Sequence, residues 1–333
     1  MSTRDSPPRS MSAYAFKVSE LWKVFERREG AFRQRTLRKE ALRGLNFEVD
    51  VGGIFGLIGP NGAGKTTFVR ILATLLLPSS GKAEVLGYDV VRSPNDVRRR
   101  VALVLGGDLG LYTRVSGRRN LEYFADLYGV PRQDAKIRIQ QLLDAVDLTE
   151  AADTPVELYS RGMKQRLHIA RGLVHKPELL ILDEPTNGLD PKGARLVREL
   201  IRNIAGEGFT VLLTTHQMFE AEELCEKVAV ISRGKVVASG SLQKLKDMIG
   251  GPSVTEIEGY GFTNLELDSL RAAAHGGEVA VADFGSRQII TIRSGNDAEL
   301  TEEVQRLQRS GRSVSVRQRR TNLEDVYLSL TEE

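Results

Sequence analysis

Cysteine is nearly absent: Cys225 stands alone among 333 residues, which excludes an intramolecular disulfide and suits a reducing compartment. Histidine is scarce as well, and His168, His175, His216 and His275 show no metal-ligand spacing with that cysteine or with each other, which argues against a zinc site. Long apolar runs are missing. The longest candidates, residues 71–77 and 179–182, fall far short of the roughly 20 residues a spanning helix needs, so the chain is not expected to cross a bilayer alone. Charge of one sign is missing too: 47 Lys+Arg face 44 Asp+Glu, and a net charge of +3 gives no argument for a nucleic-acid partner. Residues 1–12 mix Ser, Pro, Arg and Asp without a hydrophobic segment and are expected to form a disordered tail rather than a signal peptide.

What is present is a chain long enough for about two domains, organised around Gly59-Pro60-Asn61-Gly62-Ala63-Gly64-Lys65-Thr66. This stretch fits a glycine, four free positions, then Gly-Lys-Thr. Residues 54–58 are a short apolar run suited to a buried parallel strand, and residues 67–77, opening at Thr67, have the pattern of a helix. Strand, glycine-rich turn and helix together make a concave anion site, because successive backbone N–H groups converge there and the helix N-terminus is positive. Lys65 would bring a point charge to β- and γ-phosphates, and the Thr66 hydroxyl a hard oxygen ligand for Mg²⁺.

Before this loop, residues 14–24 and 45–51 alternate loosely and suggest antiparallel strands. Between them Arg27, Arg28, Arg33, Arg35, Arg38 and Lys39 outweigh Glu26, Glu29 and Glu40. Such an insert suits a solvated hairpin tip first, with contact with anionic lipid headgroups or with a phosphate-bearing substrate as the sharper alternative. After the loop come a strand at 82–86, a helix at 96–100, a buried strand at 101–105 and a glycine-rich turn at 106–110. Two helical patterns between 117 and 146, divided at Gly129-Val130-Pro131, form a helical excursion before the sheet resumes.

Tyr159-Ser160-Arg161-Gly162-Met163-Lys164-Gln165-Arg166 opens the next helix, with Ser160 as N-cap, and its serine and glycine make a second helix end able to receive an anion. Residues 179–184 then form an apolar strand ending in Asp183 and Glu184. Two acids there are costly unless a cation or donors meet them. Asp183 is suited to hold Mg²⁺ through water and Glu184 to polarise an attacking water.

In this order the motifs resemble an ATP-binding cassette (ABC) protein, the nucleotide-hydrolysing subunit of a bacterial exporter, from Tyr14 to about Leu245. The landmarks are the phosphate loop, a signature turn similar to Leu-Ser-Gly-Gly-Gln at 159–163, the acidic strand end, Gly188-Leu189-Asp190, and His216 after a strand at 210–214. The resemblance implies ATP and Mg²⁺ as cofactors. It further implies a homodimer arranged head to tail, separate integral membrane permease subunits, and a peripheral place on the cytoplasmic face of the inner membrane. Lys65, Thr66 and Asp183 would serve phosphates and metal, Glu184 would be the general base, and His216 would contact the γ-phosphate. Ser160 and Gly162 would act on the other subunit's ATP, with Asp190 in the loop joining the sites. For adenine the family stacks an aromatic, and Phe25 falls at the matching place, the alternatives being that Phe25 is a simple core aromatic or that Trp22 does the stacking.

Two departures stand out. The glutamine expected after the strand at 101–105 is replaced by Gly106 and Gly107, with Asp108 either a substitute or an ordinary loop acid. The signature carries Arg161 for a glycine and Met163 for a glutamine. The alternative function is a soluble cassette ATPase acting on nucleic acid or ribosomes, but neither a tandem cassette nor a long heptad insertion is present. An Asn-Lys-x-Asp guanine motif is also absent.

The expected fold class is α/β: a P-loop NTPase cassette over residues 13–249, with an antiparallel N-terminal β subdomain and a helical subdomain at about 106–176. A small α+β domain at 253–333 follows the Gly250-Gly251-Pro252 break. Its pattern of strand, helix, strand, strand, helix, strand suits a ferredoxin-like sandwich, with the last strand at 313–317. A final helix from Thr321, with Glu324 completing a capping box, carries an apolar stripe that suits dimer contact, regulation or packing within its own domain.

Overall fold

The computed structural model of the chain describes residues 12–29, 35–106, 110–248, 253–274, 277–285, 287–294, 297–309 and 314–331. It divides into two compact units, residues 1–239 and 240–333. In chain order the first unit contains β1 (Tyr14–Glu29), β2 (Arg35–Asp50), β3 (Ile54–Ile58), α1 (Lys65–Leu72), β4 (Ser80–Val85), β5 (Tyr88–Asp89), α2 (Pro94–Arg100) and β6 (Val101–Leu105). Then come α3 (Gly117–Leu127), α4 (Arg132–Ala145), α5 (Arg161–Leu173), β7 (Leu179–Asp183), α6 (Pro191–Gly206), β8 (Thr210–Thr215), α7 (Met218–Leu224), β9 (Lys227–Ser232) and β10 (Lys235–Ser241).

Two sheets build this unit. One is six-stranded in the order β10-β9-β3-β8-β7-β6, with β3, β6, β7, β8 and β9 paired in parallel. Strands β3, β7 and β8 are buried along their whole length, which is why they read as continuous apolar runs rather than alternating ones. The other sheet is antiparallel, in the order β2-β1-β4-β5. Phe16 and Phe47 of this sheet meet Phe68 of α1 at centroid distances of 5.7 and 5.3 Å, and both also contact Phe55 of β3. Those rings seat the antiparallel sheet against the helix that follows the glycine-rich loop, fixing where the loop points.

Several boundaries differ from the sequence reading for identifiable reasons. The basic segment is not an insert between short strands; it belongs largely to the arms of a hairpin that extends to Glu29 and Arg35, with Glu26 in register with Arg38. Opposite charges across the ladder make a charged strand tolerable. Arg33 and the rest of the tip lie outside the described residues, as do Gly107, Asp108 and His275. Helix α1 starts at Lys65 and ends at Leu72 rather than 77, since Thr74 takes a φ of 60°; Leu75 and Leu77, which lengthened the apolar pattern, are exposed.

The second unit contains α8 (Leu242–Asp247), β11 (Ser253–Tyr260), α9 (Asn264–Ala273), β12 (Glu278–Phe284), β13 (Arg287–Ser294), α10 (Asp297–Arg309), β14 (Ser315–Arg320) and α11 (Leu323–Thr331). Its antiparallel sheet runs β12-β13-β11-β14, the ferredoxin-like arrangement. The core joins Ile257, Ile290 and Ile292 of the sheet to Leu270 of α9 and to Leu300, Val304 and Leu307 of α10. Strand β14 lies later than expected because its arginines are paired. Arg319 makes a bidentate contact with the Asp325 carboxylate at 2.6 and 2.8 Å and reaches Glu256 at 2.8 Å. The cap of α11 is correspondingly displaced by one residue from Thr321–Glu324: the Asp325 N–H donates to Asn322 Oδ1, and the Asn322 N–H to Asp325 Oδ2.

Candidate nucleotide site

The loop between β3 and α1 is glycine-rich for a steric reason. A Cβ on Gly59 would meet the Ile231 carbonyl oxygen at 2.1 Å, and one on Gly64, which caps α1 at a φ of 115°, would meet the Ala41 carbonyl oxygen at 2.6 Å. The loop therefore hugs β2 and β9 on one side. Gly62, at the crest, has nothing within 4 Å of where a Cβ would stand.

Lys65, only 4 % exposed, donates to the Gly59 and Pro60 carbonyls at 2.7 and 3.1 Å and lies 3.4 Å from Glu184 Oε1. Burial lowers its ammonium below the ordinary lysine range, while Glu184 and Asp183 pull it back up. The next residue, Thr66, donates its hydroxyl to Asp183 Oδ2 at 2.9 Å, and Thr214 of β8 donates to Oδ1 of the same carboxylate. Asp183 is thus a buried acid whose charge is met by two hydroxyls, at the end of a fully buried strand.

Glu184 turns out of that strand at a φ of 50°, a left-handed conformation costing about 1–3 kcal/mol in a non-glycine residue, and its N–H is tied to the Thr214 carbonyl at 2.9 Å. The turn aims its carboxylate into the cleft. There Oε1 lies 3.3 Å from His216 Nδ1, and Oε2 accepts from Asn187 Nδ2 at 3.2 Å. Lys65, Thr66, Asp183, Glu184 and His216, spread over more than 150 residues of sequence, thus converge at the C-terminal ends of β3, β7 and β8.

A cleft of about 560 Å³ opens beside them, lined by Thr66, Asp183 and Glu184 on one side and by Arg161 and Gln165 of α5 on the other, with Gly106 between. A smaller cavity of about 190 Å³ adjoins the phosphate loop and is lined by Phe25 and Lys39 of the hairpin together with Asn61 and Thr67. Phe25 is 41 % exposed there, and Trp22 instead lies against Gly44, so the structure separates the two aromatics.

Ser160 and Gly162 open α5 at the far wall. The Ser160 hydroxyl accepts from the Met163 N–H at 3.2 Å, a structural cap. A Cβ on Gly162 would find only ordinary contacts at 3.7 Å or more, so packing within the chain does not demand a glycine there. Asp190 caps α6 by accepting from the Gly193 N–H at 3.1 Å.

Sequence reasoning missed three supporting residues. Thr214, Asn187 and Glu220 hold Asp183, Glu184 and Thr186 respectively; Glu220 is 1 % exposed, accepts from Thr186 Oγ1 at 2.8 Å, and burial raises its carboxyl above the usual range. Glu220 is one of four glutamates between positions 220 and 226, and nothing in that segment marks which one is buried. Cys225 packs beneath Gly56, and burial pushes its thiol well up. His175 stacks on Tyr128 at 4.1 Å and burial pushes it down to about 4. Neither belongs to the cleft.

A parallel sheet carrying a Gly-Lys-Thr loop, with a threonine hydroxyl bonded to a buried aspartate and an adjoining carboxylate, defines a P-loop nucleotide hydrolase of the cassette type. Residues 42–187 match the ABC transporter family. The chain is 39 % identical over 302 residues to the daunorubicin resistance ATP-binding protein DrrA3 of Streptomyces coeruleorubidus, covering 88 % of this chain and 92 % of that one. It is 38 % identical over 294 residues to the Nod factor export ATP-binding protein I of Rhizobium meliloti, covering 88 % and 84 %. Among solved structures it is similar to cbiO1 of Clostridium perfringens, part of the ABC transporter complex cbiONQ, with TM-score 0.61 and 28 % identity over 70 % of this chain and 91 % of that one. The chain belongs to the ABC transporter family, as an ATP-binding and ATP-hydrolysing subunit of the exporter type.

Proposed function

We propose that the chain works as one of two identical cassettes that close head to tail on MgATP and open after hydrolysis, driving separate membrane-spanning subunits from the cytoplasmic face of the inner membrane. The observation that carries this reading is the two-walled cleft: phosphate loop and acids on one wall, and on the other a helix end whose glycine no internal contact requires. Among the described residues no helix is long and apolar enough to cross a membrane, so transport through this chain needs a partner that does.

The residues fit the metal that such chemistry uses. Among the described residues no group of three or more His, Cys, Asp and Glu side chains could form a cage, whereas Mg²⁺ takes one or two protein oxygens and completes its shell with water and phosphate. Thr66 would ligate it directly and Asp183 through water; when bound, it neutralises charge on the β- and γ-phosphates. Lys65 exchanges its loop carbonyls and Glu184 for phosphate oxygens. Glu184, relieved of that ion pair, orients the attacking water and takes its proton, while His216 steadies Glu184 and the γ-phosphate. Phe25 stacks the adenine, and Ser160 and Gly162 close over the other subunit's γ-phosphate, with Asp190 fixing the start of α6 between the two sites.

Purification of the tagged protein from its own cells in mild detergent, with and without ATP, followed by mass spectrometry, tests the transport role. A stoichiometric multi-span membrane protein is the expected companion. Ribosomal or DNA-associated partners without a membrane protein would retain the ATPase and remove the transport assignment.

A further inference from the structure

Glu220 lies on the face of α7 that also carries the buried Ala221 and Leu224, and it is itself only 1 % exposed. Packing alone would favour an apolar side chain there, because a carboxylate in the interior is unfavourable unless donors meet it. What explains the acid is the identity of its donors.

They come from two different loops. Thr186, also buried, donates to Glu220 Oε1 at 2.8 Å and follows Glu184 by two residues in the turn after β7. Thr215 ends β8 and directly precedes His216. Burial raises the Glu220 carboxyl, and the Thr215 and Thr186 hydroxyls oppose that by favouring its charged form, with Arg198 of α6 helping.

Each loop is tied down elsewhere as well. Thr215 Oγ1 accepts from the Gln217 N–H at 3.0 Å, spanning His216, and the Thr215 carbonyl accepts from the Gly59 N–H at 3.3 Å. Glu184 keeps its φ of 50° with its N–H on the Thr214 carbonyl and its own carbonyl on the Asn187 N–H. Glu220 closes the remaining side of a ring that runs from Glu184 through Thr186, Glu220 and Thr215 to His216, and returns by the 3.3 Å approach of His216 Nδ1 to Glu184 Oε1.

We propose that Glu220 is a positioning residue for the hydrolytic step: by holding Thr186 and Thr215 together it sets the separation of Glu184 and His216 and keeps the strained Glu184 turn aimed into the cleft. The inference rests on the reading of Glu184 as general base with His216 beside it.

The test uses the full chain, with phosphate release followed over a range of MgATP concentrations. Glu220→Leu, which removes both acceptors, is expected to lower kcat by about tenfold or more, as for a misplaced reacting group, with KM and ATP affinity within about twofold. Its melting temperature should stay close to wild type, because an apolar side chain of similar volume replaces a buried charge. Glu220→Gln, with one acceptor left, should fall between. Thr186→Val, which removes only the hydroxyl, should reproduce the loss and decides the matter if Glu220→Leu folds poorly. In a His216→Ala background Glu220→Leu should lower kcat by less than about twofold, since the separation it sets no longer exists, whereas a purely structural role would multiply the two losses. A folded Glu220→Leu or Thr186→Val protein with kcat within about twofold of wild type overturns the role of Glu220, as does a loss carried by KM or losses that multiply. Turnover that survives both Glu184→Gln and His216→Ala overturns the base reading, and Glu220 with it.

Discussion

Replacing Glu184 by glutamine keeps the volume of the side chain and removes its ability to accept a proton. In the structure Oε1 lies 3.4 Å from Lys65 Nζ and 3.3 Å from His216 Nδ1, and Oε2 accepts from Asn187. A glutamine oxygen can keep one of these contacts, so the cleft should hold its shape. The chemical step should slow by about 10²–10⁴-fold, the range for loss of a general base, which is about 3–5 kcal/mol on the barrier. Binding should move the other way. A full charge pair at this distance is worth at most about 5 kcal/mol at an effective dielectric of 20, and the Gly59 and Pro60 carbonyls remain to hold Lys65, so the free protein should lose about 1–2 kcal/mol. That loss falls on the unliganded state, where Glu184 competes with phosphate for Lys65, and ATP affinity should therefore be unchanged or higher. Phosphate release at saturating ATP gives the first quantity and equilibrium titration with a fluorescent ATP analogue the second. Turnover within about threefold of wild type would remove Glu184 as the base, and a fall in affinity that matches the fall in turnover would make it a binding residue instead.

Other perturbations separate the roles of neighbouring parts. Phe25→Ala should weaken nucleotide binding by about 1–3 kcal/mol and Phe25→Trp should preserve it; a competition titration in which alanine binds equally well would return the adenine contact to another side chain. His175 provides a pH test. Its folded-state value of about 4 lies below the unfolded 6.5, so the unfolded chain binds the extra proton and stability should fall as pH drops from 6.5 towards 4, by up to about 3 kcal/mol. In denaturant titrations His175→Phe, which can still stack on Tyr128, should flatten that part of the profile, and an unchanged slope would assign it to other groups. Asp325→Ala removes the bidentate partner of Arg319 and the carboxylate that lies 3.8 Å from the buried Arg293. It should cost the C-terminal unit about 3–5 kcal/mol, seen in calorimetry, whereas a transition unmoved by the change would mean that the network relaxes freely.

Much of this protein is legible in its sequence. The phosphate loop, the acidic strand end and the signature helix show themselves because each needs particular residue types at fixed spacing, and those spacings survive whatever surrounds them. The ferredoxin-like order of the second unit could be read for a similar reason, since apolar period follows local geometry. Ends were less legible. Leu75 and Leu77 continue an apolar pattern past the point where Thr74 turns the chain, and Arg38 of β2 and Arg319 of β14 resemble loop residues until the fold sets Glu26 opposite the first and Glu256 beside the second.

Only the tertiary structure could decide which polar groups meet. Thr214 and Asp183 are 31 positions apart, Thr66 and Asp183 are 117, and no local pattern in the sequence announces either pairing. The choice of Glu220 over its neighbouring glutamates and of Asn322–Asp325 over Thr321–Glu324 belongs to the same kind. The physical reason is that the sequence states what each residue can donate, accept or bury, whereas the free energy of a buried polar group depends on the partner that packing brings to it.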